Sequence, residues 1–221
     1  MTAYAITTLR TAVRTAMDEN VSDQLNLNVN TDTLSVTTLI DNNIPIAVRI
    51  VDILAPLQMI GAGESVSSPS VTWGGDIDYS GNRPGEISLP ANYLRLVNFK
   101  MSDWDYGVSI PISDADPLYK AQWSKYGGVR GNPAKPVVAI IANNKLQFFS
   151  SHYSATASER ASVEDMRILT VPAVTNNQIE IPPLLKDAAI YYTGYLVAQT
   201  LQQEKLANHL LETVKSMLVS G

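Results

Sequence analysis

The chain has 221 residues, of which 45% are apolar and 17% charged, and its net charge is −5. Those values fit a folded chain long enough to bury a core, as one domain or as one domain with a smaller lobe. They argue against a general affinity for nucleic-acid backbones, which needs clustered Lys and Arg, and the absence of cysteine removes disulfides and thiolate chemistry.

Thr2 is placed to cap a first helix in which Ile6, Leu9, Val13 and Met17 recur at helical spacing. Residues 1–17 carry Arg10 and Arg14 and lack the continuous apolar run of a secretory signal. Residues 24–30 alternate Leu25, Leu27 and Val29 with asparagines, which predicts a short strand or an extended arm laid on a neighbouring surface. Thr31, Asp32 and Thr33 open a second helical region reaching about Ala55. Pro45 divides it, with Asn43 as a cap and Ile44, Val48, Val51 and Leu54 or Ala55 as the buried stripe; Pro45 either starts a new helix or kinks one, and Pro56 ends the region.

Residues 61–85, rich in Gly, Ser, Asn and Pro, read as loop with a short strand near 71–73. Residues 86–89 read as a strand, and Pro90 and Asn92 as one helical turn. From Leu94, alternation of Leu94 and Leu96 with Arg95, Asn98 and Lys100 gives a half-buried strand. A further strand is expected near 108–112. Asp116 followed by Pro117 is a strong helix start, with the helix ending at Gly127 and Gly128. Residues 136–142 and 145–150 are β-rich and joined at Asn143 and Asn144, a pair that tolerates left-handed geometry. Residues 166–171 and 178–181 complete the β region.

After Pro182 and Pro183 the pattern is helical to the end, with the turn placed at 200–203. Its upper half is apolar nearly all round, which predicts burial among other helices. No segment is apolar enough to span a membrane. The fold class predicted is α+β: N- and C-terminal helices (residues 1–60 and 182–221) pack as a small bundle. A central antiparallel β region (residues 61–181), holding one short helix at about 117–126, is inserted between them. With aromatics at only 7%, the core is expected to be mainly aliphatic.

Candidate sites are few. Asp76, Asp78, Ser80 and Gly81 match the first half of a calcium loop, but Ile87 stands where a bidentate Glu is required, so a polar turn is the stronger reading. Gly61 and Gly63 start a dinucleotide fingerprint and nothing more. His152 and His209 lie on different elements without a second ligand at metal spacing. The pairs Asp103/Asp105 and Asp114/Asp116 read as turn and cap residues before they read as acid–base pairs. No catalytic, cofactor or metal grouping emerges. Trp104, Trp123, Tyr126 and Arg130 are candidates for a contact surface, because Trp, Tyr and Arg dominate interface hot spots; packing across the β region is the competing reading. Arg10 and Arg14, one turn apart, read either as partner or DNA contacts or as a solvated helix face. Lys125, Arg130 and Lys135 lie among glycines as a basic loop.

The run Leu89, Pro90, Ala91, Asn92, Tyr93, Leu94, Arg95, Leu96 resembles a segment of tailed-phage head-to-tail connector (adaptor) proteins. In them a strand, a Trp, an acidic-Pro helix start and a Pro-Val strand follow, matched here by Trp104, Asp116 with Pro117, and Pro136 with Val137 and Val138. The resemblance continues at 44–56 and from Ile181 and Pro182 to Leu211. It is nearest to the ring proteins of crAss-like phages. Two features depart from the pattern: Pro45 falls within a helix that other members run through, and residues 24–30 have no counterpart. The resemblance implies a non-enzymatic virion protein, made in the host cytoplasm, that forms a homo-oligomeric ring, usually twelvefold. Such a ring docks on the portal protein, carries other tail and ring proteins and leaves a channel for DNA, which passes without sequence-specific binding. No cofactor and no membrane contact are implied. The chain ends and the loops at 61–85 and 132–136 become expected docking or channel-lining elements. An alternative from another class is a carbohydrate- or receptor-binding β module with Trp104, Tyr106, Trp123 and Tyr126 as an exposed platform.

Overall fold

The computed structural model describes residues 1–17, 35–75, 83–124, 126 and 128–219. The chain is α+β and divides into two compact units, residues 1–61 with 171–221, and residues 62–170. Numbered along the chain, the first unit holds β1 (Thr2–Ala5), α1 (Ile6–Met17), α2 (Val36–Leu54), α3 (Leu57–Ile60), β10 (Gln178–Ile181), α5 (Lys186–Thr200) and α6 (Glu204–Val219). The second holds β2 (Glu64–Ser65), β3 (Thr72–Trp73), β4 (Gly85–Ser88), β5 (Tyr93–Met101), β6 (Ile112–Ser113), α4 (Pro117–Gln122), β7 (Val138–Ile141), β8 (Lys145–Phe148) and β9 (Val163–Thr170). The alternating segment 24–30, the helix opening at 31–33 and the calcium-like run 76–81 lie outside the described residues.

In the first unit α5 is the central helix, packed against α1, α2 and α6. Its buried residues are small: Ala188, Ala189, Gly194 and Ala198 beside Ile190, Thr193 and Val197. Small side chains let three neighbours approach, and the only buried hydroxyl among them, Thr193, is satisfied by donating to the Ala189 carbonyl at 2.7 Å. The neighbours contribute aliphatic stripes at helical spacing: Ile6, Leu9, Val13 and Met17 from α1; Ile40, Ile44, Val48 and Val51 from α2; Ala207, Leu210 and Val214 from α6.

Several expectations about this unit are corrected. Thr2 does not cap a helix; it begins β1, which pairs antiparallel with β10 over four residues, Thr2 opposite Ile181 and Ala5 opposite Gln178. β10 therefore belongs with the helices and not with the β region, because its two inward residues, Ile179 and Ile181, are 1% exposed in that unit's core. Pro45 does not start a new helix: α2 runs through it for 19 residues, which leaves the alternative of one helix containing the proline. Ser35, not Asn43, is the cap, its Oγ accepting from the Thr38 amide at 3.2 Å, while Asn43 Nδ2 donates back to the Leu39 carbonyl at 2.8 Å. Ile44 and Val48, on either side of Pro45, are both buried, so the stretch that lacks one amide donor is held by packing.

The second unit has a five-stranded sheet, β3-β4-β8-β7-β6, and a three-stranded one, β2-β9-β5. Pairings are antiparallel except β6–β7, which is parallel. That exception has a cause, since parallel neighbours need a crossover and α4 lies between them in sequence. The connection from β7 to β8 contains Asn143 and Asn144 at φ 64° and 58°, the left-handed region asparagine tolerates best after glycine. The turn at Pro90 is a simple β-turn, the Tyr93 amide donating to the Pro90 carbonyl at 2.9 Å, and not a helical turn. Val108 makes only an isolated bridge to Phe99, and the strand expected near it is β6.

The core here is aromatic at its centre. One cross-strand row reads Trp73, Gly85, Phe148, Val138. Because Gly85 has no side chain, the Trp73 and Phe148 rings meet over it, 5.5 Å apart and edge to face. A Cβ on Gly85 would lie 2.2–2.7 Å from three Phe148 ring atoms. Phe99 and Trp104 close the cluster, at 5.4 Å and 6.0 Å from Phe148. The mainly aliphatic core expected from composition describes the first unit; the few aromatics of the chain are concentrated in the second.

Candidate docking surface

The six contact candidates separate sharply. Trp104 is 3% exposed and sits edge-on to Phe99 at 5.5 Å, so it is core and not part of any platform. Its position follows from β5: the Trp104 amide donates to the Met101 carbonyl at the end of that strand, turning the indole inward. Arg10 is held within the first unit, its Nε and Nη2 donating to the two Asp41 oxygens at 2.8 and 2.7 Å. The hydrogen bond to Asp41 raises the Arg10 pKa above its ordinary value despite partial desolvation. Arg14 Nη2 donates to Thr37 Oγ1 at 2.6 Å. Both arginines thus tie α1 to α2.

Trp123, Tyr126 and Arg130 lie together along the chain after α4. Asp116 starts that helix as the sequence predicts, its carboxylate accepting from the Leu118 amide at 2.8 Å with Pro117 in the first turn. The helix is shorter than expected and stops at Gln122, with Trp123 as its C-cap. Buried Gln122 explains the stop: its Nε2 donates to the Leu118 carbonyl at 3.0 Å, and its Oε1 accepts from the Gly131 amide at 2.8 Å, pulling the following loop back against the helix end. Gly131 fits only without a side chain, since a Cβ would lie 2.6 Å from Ser150 Oγ.

Trp123 is 46% exposed, yet its ring is fixed from behind. It stands edge-on to Phe149 at 5.3 Å and to Tyr119 at 6.4 Å, and Tyr119 meets Phe149 at 5.9 Å. Tyr119 is anchored in turn by its hydroxyl, which donates to Gln147 Oε1 at 2.8 Å. Gln147 Nε2 donates to Glu86 Oε1, and Lys145 Nζ donates to Glu86 Oε2, each at 2.9 Å. A half-exposed indole on a rigid base loses little side-chain entropy on contact, which is what an interface anchor needs. On the same stretch of chain Leu118, Tyr126 and Val129 are 57%, 66% and 55% exposed. Arg130, at 9%, is buried and belongs to the support of the loop rather than to its outer face. Leu118 and Val129 were not singled out by sequence; their exposure depends on the Gln122–Gly131 contact, which no local pattern announces.

A second apolar face lies in the first unit, where Ile46, Ile53 and Leu54 of α2 are 48%, 48% and 58% exposed. Other sequence candidates resolve into ordinary structure. Asp103 accepts from Ser151 Oγ at 3.0 Å and from the His152 amide at 2.8 Å, a long-range tie between the chain after β5 and the chain after β8 rather than a turn contact. Gly61 and Gly63 take φ 76° and 67° in the turn after α3. Among the described residues there is no group of three or more His, Asp or Glu placed to hold a metal, and no helix long and apolar enough to cross a membrane. No family model and no curated protein matches the sequence.

Proposed function

We propose that this chain is a virion structural protein that forms a ring in the head-to-tail connector of a tailed phage, below the portal. The observation that carries the reading is an order of elements. The segments that resemble connector proteins are, in the same sequence, α2 ending at Ala55 and Pro56, the Leu89–Leu96 run entering β5, the Asp116–Pro117 start of α4, the strand from Val138, and the two helices after Pro182. Support also comes from surface chemistry, since a ring subunit needs two different adhesive faces for heterologous contacts that close by rotation. The α2 face with Ile46, Ile53 and Leu54, and the Trp123 face, are two such faces on the two units.

In this reading the protein acts by shape and makes or breaks no bond. Its partners are copies of itself, the portal protein and other tail or ring proteins. DNA passes through the channel without sequence-specific binding, and a net charge of −5 keeps the wall from gripping it. The carbohydrate-platform reading is weakened by the burial of Trp104, one of the four aromatics it requires.

The test is the assembly state of purified protein, alone and mixed with a portal protein from the same source, by negative-stain imaging and native mass spectrometry. Rings under either condition are expected; monomers under both would remove the proposal.

A further inference from the structure

Among the described residues, every sheet edge but one is blunted. β2, β3 and β6 are two residues long, and β5 carries three register shifts together with Arg95 and Lys100. On β10, Gln178 exchanges amide and carbonyl with Thr175, and Glu180 puts a charge beyond it. β1 has none of these devices. Its four residues, Thr2, Ala3, Tyr4 and Ala5, include no charge and no proline, and they pair with β10 without a shift. The phase of that ladder is set at Ile6, whose amide donates to the Asn177 carbonyl at 3.0 Å. Antiparallel bonds alternate along a strand, so Tyr4 and Thr2 bond towards β10 while the backbone groups of Ala3 and Ala5 face away from it. Among the described residues the Ala3 amide, the Ala3 carbonyl and the Ala5 amide meet no backbone partner on that side.

We propose that this edge takes the β1 strand of a second copy, antiparallel about a two-fold axis at Tyr4. Ala3 of each copy then exchanges amide and carbonyl with Ala5 of the other, and Tyr4 stands opposite Tyr4. The occupant follows from the strand itself. A two-fold pairing sets a strand against its own residues, which a charge near the centre forbids. β1 has no charge, and its two outward-facing residues fall in register with each other. The charges bordering it are of both signs: Glu180 lies opposite Ala3 on β10, and Lys186 Nζ stands 5.3 Å from the centre of the Tyr4 ring. Pairing turns two ribbons, each marginal by itself, into one four-stranded sheet, β10-β1-β1-β10. Each β1 is used once, so the contact closes at two copies. It describes the free chain, goes beyond the ring reading and does not depend on it.

The absence of cysteine lets single substitutions report the pairing. Tyr4→Cys is expected to give a disulfide-linked dimer under mild oxidation. Thr2 lies opposite Ile6 of the other copy and about 13 Å from its own counterpart. The linked yield of Thr2→Cys is therefore expected to be about tenfold lower. Ala3→Pro removes an amide that faces away from β10 and leaves the β1–β10 bonds in place. It is expected to abolish the link in the Tyr4→Cys chain and to turn the parent dimer into a monomer in sedimentation. The unsubstituted chain is read as well: its Ala3 and Ala5 amides are expected to exchange with deuterium about tenfold more slowly at high than at low protein concentration. Exchange independent of concentration would overturn the pairing. So would equal linking of Tyr4→Cys and Thr2→Cys, or a dimer that survives Ala3→Pro. Rings formed without the Tyr4→Cys link would overturn this contact and leave the ring reading standing. A linked pair that never forms rings, alone or with a portal protein, would do the reverse.

Discussion

The two units solve the same packing problem with different materials. In the helical unit, contact is spread over many aliphatic side chains, and the central helix α5 makes room with alanines and one glycine. In the β unit it converges on a few rings, and a glycine is the point at which two of them touch. Distributed packing yields locally when one residue changes, because flexible side chains shift. Convergent packing does not, because rings in a sheet have few alternative positions. A glycine therefore means different things in the two places, although the sequence letter is the same.

The largest expected effect tests this directly. Gly85→Ala places a methyl within the Phe148 ring, which is fully buried and hemmed in by Trp73, Phe99 and Trp104. A destabilisation of about 3 kcal/mol is expected in denaturant unfolding. Phe148→Leu in the same chain should recover part of that loss, so a strictly additive double variant would break the interpretation. Next comes the cap of α4. Asp116→Ala should cost about 1 kcal/mol, and because that helix supports the Tyr119–Trp123–Phe149 stack, tryptophan emission should move to longer wavelength. An unchanged spectrum would show that Trp123 is held without its cap.

Gly194→Ala in α5 should be nearly neutral. The added Cβ would meet Met17 Cγ at 3.2 Å and Leu210 Cδ1 at 3.3 Å, atoms of flexible side chains rather than of backbone. Against that small clash stands a gain of about 1 kcal/mol in helix propensity, so a measured change within about 0.5 kcal/mol of zero is expected. A cost as large as that of Gly85→Ala would erase the contrast between the units. The smallest effect is a matter of pH. Burial pushes the Asp165 carboxyl upward, but hydrogen bonds from Asn98 and Arg167, with the Arg167 charge, outweigh it and leave its pKa below the ordinary carboxylate value. A carboxylate depressed in the folded state contributes stability above its unfolded pKa and loses it as pH falls through the folded value. The parent should therefore lose slightly more stability than Asp165→Asn on going below about pH 4, and parallel pH profiles would discard that assignment.

What could be read from the letters was local. Alternation placed β5, Asp116 with Pro117 placed the start of α4, and Asn143 with Asn144 placed the link between β7 and β8. The same Asn-Asn signature at Asn176 and Asn177, at φ 51° and 60°, sets up the turn before β10, and its meaning was legible by the same rule. What escaped was non-local. The pairing of β1 with β10 joins residues at opposite ends of the chain, and helix 1 spacing masked the four-residue strand before it. Pro45 has a strong local preference that tertiary packing overrides. For the candidate surface, Trp123 and Tyr126 were visible as residue types, while the burial of Trp104 and Arg130 depends on which way a strand end and a loop turn.

β5 also carries a safeguard. It is nine residues long and lies at the outside of its three-stranded sheet, where an uninterrupted ladder would invite a foreign strand to add on and begin a fibril. Its register against β9 shifts three times, at Tyr93/Arg95, Leu96/Asn98 and Lys100/Met101, and Arg95 and Lys100 put cations along it. Such bulges twist and interrupt the donor–acceptor ladder. Copies crowded together as they fold are thereby kept from stacking in the wrong way.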